Sequence, residues 1–137
     1  MESRDFTASF SNFDPMMTFI RDSMKIFVKS EENTMQFEVA IEEAIVNIIK
    51  YGYSSPSGII QICCQFLPSD RSFCVKIIDS GTPFNPLGNK ELEPPSGLEN
   101  QNIGGLGLHF IKKMADSVTY EYKDGKNQLT LKRKLAF

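Results

Sequence analysis

Residues 34–51, TMQFEVAIEEAIVNIIKY, carry the pattern from which the rest of the chain is read. Phe37, Ile41, Ala44, Ile45, Ile48 and Ile49 recur at intervals of three and four, which predicts a helix with a broad apolar face. Thr34 stands where a side-chain oxygen can cap its first turn. Polar groups interrupt the pattern. Glu43 and Asn47 are four apart and share a face, with Lys50 close by. An amide inside an apolar helical run is poor for helix stability and costly to bury without a partner. Two readings follow. Asn47 is tied to neighbouring backbone while Glu43 and Lys50 form a surface pair, or Asn47 offers an oxygen to a hard cation with a carboxylate and an ammonium at hand.

Outward from this helix the chain alternates between clear periodicity and clear breaks. Phe6, Ala8 and Phe10 alternate with polar residues, which predicts a short half-buried strand. Asn12 to Pro15 supplies turn chemistry, and Met16, Phe19, Ile20, Met24, Phe27 and Val28 predict a first helix over 16–29. Beyond Tyr51, the cluster Gly52, Ser54, Ser55, Pro56 and Gly58 ends the second helix. The runs IIQICCQFL (59–67) and SFCVKIID (72–79) are rich in β-branched and aromatic residues, and a four-residue joint predicts a hairpin. Residues 80–107 hold four prolines and six glycines, the composition of a lid, a binding loop or a disordered segment. A helix over 106–115 follows, then strands over 118–122 and 128–135 turning through 124–127. This order predicts an α+β fold: a two-layer sandwich whose mostly antiparallel mixed sheet is covered on one face by helices.

The composition narrows the class of function. A chain of 137 residues has room for a single domain, 1–137, and a hydrophobic fraction of 41% suits a globular one. Lys plus Arg number 15 against 17 Asp plus Glu, so no broad basic field exists to hold a nucleic-acid backbone. Cys63, Cys64 and Cys74 form no C-x-x-C pair, and His109 is the single histidine, too little for a usual zinc set. The cysteines are expected to be small core hydrophobes in a reducing cytosol. No apolar stretch approaches the roughly 20 residues of a membrane span, and no secretion signal opens the chain, so a cytoplasmic location is expected.

Two further motifs carry chemistry. Asp79-Ser80-Gly81-Thr82-Pro83-Phe84 places a carboxylate where an apolar strand stops, beside a glycine that lets backbone turn or a ligand approach. Taken alone it is ordinarily a turn. Gly104-Gly105-Leu106-Gly107-Leu108 leads into a helix, where exposed backbone N–H groups and the helix dipole favour an anion. It is neither a Walker loop, lacking Gly-Lys-Ser/Thr, nor a dinucleotide fingerprint, since it follows a loop and lacks the third glycine.

Taken in order, cation ligand, strand-end carboxylate, loop and glycine run, the set resembles the N, G1 and G2 boxes of the Bergerat-fold (GHKL) ATPase superfamily of gyrase, heat-shock chaperones, histidine kinases and mismatch-repair proteins. In size and in the run GLGLHFIKKMAD (105–116) it is most similar to the stand-alone anti-sigma-factor serine/threonine kinases of bacteria. The resemblance implies ATP and Mg²⁺ as cofactors, with Asn47 as metal ligand and Glu43 as general base. It implies that Asp79 accepts a hydrogen bond from the adenine amino group, with Gly81 beside the base and Thr130 supporting that side. Gly104, Gly105, Gly107 and Leu108 fall where the family holds phosphates, Lys50 matches a lysine that histidine kinases place near them, and 84–104 would be the ATP lid. Implied partners are a sigma factor, an anti-sigma antagonist protein as phosphorylation substrate, and a second copy in a homodimer. The chain departs from some of that family's members in carrying Asn102-Ile103, not an Arg used in partner contact, just before the glycine run. The same site without chemistry would be a nucleotide-dependent partner switch; the same chemistry directed at histidine would be a detached histidine-kinase-like domain.

Overall fold

The computed structural model describes residues 1–27, 31–52, 58–83, 111 and 113–134. The elements run β1 (Glu2–Thr7), a 3-10 turn (Phe10–Asn12), α1 (Phe13–Lys25), α2 (Glu31–Asn47), a π turn (Ile48–Gly52), β2 (Ile59–Leu67), β3 (Ser72–Asp79), β4 (Ser117–Lys123) and β5 (Lys126–Lys134). Ile111, Lys113 and Met114 are helical, while the remainder of the helix expected over 106–115 lies outside the described residues, apart from Ala115, which is not helical.

The strands form one five-stranded sheet in the order β1-β2-β3-β5-β4, and all four pairings are antiparallel. β2 and β3 occupy the ranges their sequences predict, and Leu67 pairs with Ser72 across the short turn. The period of two sorts each strand into faces. Ile60, Ile62 and Cys64 of β2, Phe73, Val75 and Ile77 of β3, and Leu129 and Leu131 of β5 are buried on one face. Met16, Met17, Ile20 and Met24 of α1 and Phe37, Ala40, Ile41, Ala44 and Ile45 of α2 complete the same core. Each Ile, Leu, Val, Phe and Met among them contributes roughly 1.5–3 kcal/mol by leaving water. The other face carries Cys63, Cys74, Lys76 and Thr130, all partly exposed. Of the cysteines, therefore, only Cys64 is a core residue; burial pushes its thiol up to about 12 and keeps it neutral.

Four boundaries differ from expectation, each for a physical reason. β1 lies ahead of the apolar alternation: Ala8 is buried and donates its N–H to Gly58 O (2.7 Å), and Phe10 sits exposed in the 3-10 turn. An edge strand held by backbone pairing to β2 needs little apolar periodicity, so its charged sequence hid it. α1 begins at Phe13 and ends at Lys25, with Pro15 tolerated in its first turn. α2 begins at Glu31, leaving Thr34 inside the helix, and gives way after Asn47 to a π turn through Ile48–Gly52. The second hairpin turns through Asp124 and Gly125 alone, with Lys123 pairing Lys126. Their φ values of 54° and 76° make the left-handed turn whose twist matches the flanking strands.

Gly125 has open space where a Cβ would stand, so Gly125→Ala carries only a conformational cost. The expected loss is about 1 kcal/mol, read as a lower midpoint in chemical denaturation with the fold retained.

Candidate functional site

The site begins with a conflict between parity and polarity. Asp79 closes β3 on the same face as Val75 and Ile77, so its carboxylate points into the helix-covered layer, where the residue is 5% exposed. Strand register places Asn127 of β5 directly opposite it, 6% exposed. Asn127 answers the buried charge. Its Nδ2 donates to Asp79 Oδ1 (3.0 Å) and to the carbonyls of Gly81 (3.3 Å) and Thr82 (3.1 Å). Its Oδ1 accepts from the Tyr120 hydroxyl of β4. The Gly81 N–H also donates to Asp79 Oδ1 (2.9 Å), so the chain folds back over the carboxylate as an Asx turn. Burial raises the Asp79 pKa above its ordinary carboxylate value, and the bonds from Asn127 and Gly81 oppose that rise. Both bonds fall on Oδ1; among the described residues Oδ2 takes no hydrogen bond.

A second group lies on α2. Gln36, Glu43 and Asn47 follow one stripe along the flank of its apolar face, while Glu38 and Glu42 lie on the opposite flank. The two flanks have different partners. Arg21 of α1 pairs with Glu38 and, at 3.7 Å, with Glu42. Arg133 of β5 reaches Gln36 and also donates to Met114 O. The flank bearing Glu43 and Asn47 thus faces the β5 side of the molecule. Arg133 fixes the start of α2 at one end of β5, and Asn127 stands at the other. From Gln36 to Asn47 the helix rises about 16 Å, and from Arg133 to Asn127 the strand covers about 20 Å. Glu43 and Asn47 are partly buried, and Lys50 is exposed on the π turn that follows.

The structure therefore joins Asp79 and Gly81 and sets Glu43 and Asn47 one turn apart on a common stripe. No hydrogen bond or ion pair among the described residues links the two groups. Thr130 stands on the sheet face opposite to that of Asp79. It pairs with Lys76 and Thr119 on the sheet face turned away from the helices, because it stands three residues beyond Asn127 and so has the opposite parity. Gly104, Gly105, Gly107, Leu108 and the lid over 84–104 lie outside the described residues. Sequence reasoning missed Asn127 and Tyr120. A signal existed for Asn127: it shares its parity with Leu129 and Leu131, a polar residue in a core register.

A family model described as a histidine kinase-like ATPase domain matches residues 6–133. The chain belongs to that family. Among curated members it is 24% identical over 125 residues to an anti-sigma F factor of Clostridium acetobutylicum, covering 87% of this chain and 85% of that one. It is 29% identical over 100 residues to the serine-protein kinase RsbW of Listeria monocytogenes, covering 70% of this chain and 63% of that one. For the Staphylococcus epidermidis RsbW the figures are 32% over 95 residues, 64% and 58%, so the match spans less than two-thirds of either kinase. In fold, the chain is similar to a Mycobacterium tuberculosis structure of RsbU and RsbW domains, with a TM-score of 0.63, 14% identity, and coverage of 98% of this chain and 33% of that one. The catalytic domain of the histidine kinase ThkA is likewise similar (TM-score 0.52, 13% identity, 98% of this chain and 96% of that one).

Asn127→Ala removes a donor from a buried carboxylate and an acceptor from Tyr120 together. A loss of about 1–3 kcal/mol is expected, measured by chemical denaturation at neutral pH, together with a further rise of the Asp79 pKa followed by carboxyl-carbon NMR.

Proposed function

We propose that this chain is an ATP- and Mg²⁺-dependent protein serine/threonine kinase that binds a sigma factor and phosphorylates an anti-sigma antagonist protein. Within the shown ATPase family, the names of its relatives support the anti-sigma and serine-kinase parts of this reading. The observation that carries the nucleotide part is the buried Asp79 carboxylate, fixed through Oδ1 by Asn127 and the Gly81 N–H. Such a group, orientated in advance and with Oδ2 open, suits a single neutral donor such as the exocyclic amino group of adenine. Gly81 would lie beside the base, and Asn127 would support the carboxylate on that side.

At the other end of the nucleotide, Asn47 fits a Mg²⁺ that keeps waters and phosphate oxygens as its remaining ligands: it is one hard amide oxygen, partly buried, with the Glu43 carboxylate a turn away. The metal would supply charge neutralisation at the phosphates. Glu43 would orientate the attacking hydroxyl and receive its proton as the oxygen–γ-phosphorus bond forms and the bond to the β-phosphate oxygen breaks, leaving ADP and a phosphoserine or phosphothreonine. Lys50, Gly104, Gly105, Gly107 and Leu108 would hold the phosphates, and residues 84–104 would close over them. The chain would act in the cytoplasm, as a homodimer.

Glu43→Ala is expected to abolish phosphate transfer from ATP to the antagonist while leaving nucleotide binding intact in calorimetry; transfer at the wild-type rate removes Glu43 as the base. Wild-type binding of ATP without transfer to any antagonist would leave a nucleotide-dependent partner switch, and acid-labile product phosphate would indicate transfer to histidine.

The pH dependence has a defined sign. The fold favours the protonated Asp79, so this group's contribution to stability falls as pH rises from the ordinary value of 3.8 through the raised one. Adenine needs the ionised form, so ATP affinity is expected to weaken on acidification at a pH above the ordinary carboxylate range. Isothermal titration across acidic pH should show this for the wild type, and Asp79→Asn should bind weakly at every pH.

A further inference from the structure

At the far end of the sheet from Asp79, the layer between β1 and α1 does not close. Phe6 lies in the same row as Ile60 and Asp79, whereas Glu2 lies in the row of Cys64 and Val75. The residues of β1 that face α1 are Glu2, Arg4 and Phe6. Only Phe6 is apolar, and it packs on the core. Where Glu2 and Arg4 face the helix, a cleft of about 590 Å³ remains. Arg4 is engaged inside it, its guanidinium 5.4 Å from the centre of the Phe19 ring.

Three carboxylates, those of Glu2, Asp14 and Asp22, line the cleft against that single cation. None of them is in an ion pair among the described residues. The wall is not uniformly polar, because Phe19 and the 69%-exposed Ile26 supply apolar surface. Ser23, 3% exposed, closes the inner wall of the cleft, with its Oγ turned to the Cys64 thiol. Finally, β1 is an edge strand, paired only with β2 among the described residues, so its other edge offers a row of backbone donors and acceptors.

We propose that this cleft and edge dock a basic, extended segment of a partner protein, which adds as a strand to β1 and places a Lys or Arg side chain between β1 and α1. The apolar stem would lie on Phe19 and Ile26, and the cation among Glu2, Asp14 and Asp22. Charge complementarity selects this occupant over an acidic one. The site is separate from the nucleotide site and does not rest on the kinase reading.

The test uses the whole isotope-labelled chain without nucleotide. It is titrated by NMR with a short capped peptide alternating Lys and Val, and with its Glu-for-Lys counterpart. The Lys peptide is expected to bind at least about tenfold more tightly, with shifts confined to residues 2–6 and 14–26. A version with prolines in place of the valines, unable to donate along the edge, should lose that binding. Thr18 stands four residues from both Asp14 and Asp22, so Thr18→Lys should pair with them, halve the net negative charge of the cleft, fill it and abolish binding; Asp22→Asn should weaken it severalfold. Equal affinity for both peptides, shifts outside the cleft, or full binding to the Thr18→Lys chain would overturn the proposal. So would sedimentation showing that a second copy of the chain holds the β1 edge and that the Lys peptide does not displace it.

Discussion

A carboxylate buried at the end of a central strand has to be answered from the neighbouring strand, and in this molecule that single requirement organises one end of the sheet. Asp79 is placed in the covered layer by the same alternation that buries Val75 and Ile77. Water is largely excluded there, so the charge depends on fixed donors, the Asn127 amide and the Gly81 N–H. Asn127 is available because β5, not β4, pairs with β3, and the two-residue turn at Asp124 and Gly125 sets its register. The Tyr120 hydroxyl then occupies the remaining oxygen of the amide. β5 and the turn after β3 thus meet on one acid, with β4 behind them through Tyr120, so its orientation is set by the sheet register and the Asx turn together.

The two flanks of α2 divide the work of holding the helix. Glu38 and Glu42 tie it to α1 through Arg21. Gln36 ties the opposite flank to β5 through Arg133, a residue that also satisfies the Met114 carbonyl. These contacts are partly exposed and individually modest. Their consequence is geometric: they set the azimuth of the helix, and with it the direction in which Glu43 and Asn47 point. The change to a π turn after Asn47 follows at the point where that stripe ends.

Much of this was legible in the chain. β2 and β3 stand where their β-branched runs put them, since a central strand buried by its neighbours must advertise itself in composition. The bounds of β1 were not legible, because an edge strand carrying Glu2, Arg4 and Asp5 gains its place from backbone pairing and leaves no apolar period. Asp79 and Gly81 could be singled out, and Asn127 could have been from its parity with Leu129 and Leu131. The face on which Thr130 stands follows from strand parity relative to Asn127.

By itself the sequence determined the kinds of element, their order, the α+β class and the short motifs in which chemistry could reside, because periodicity, turn residues and glycine runs act over a few residues. Only the tertiary structure decided which polar groups meet. The pairing of Asp79 with Asn127 joins residues 48 positions apart, and the gap between β1 and α1 joins surfaces that no local pattern relates. Such contacts depend on strand order and register, which long-range packing sets and local propensity does not.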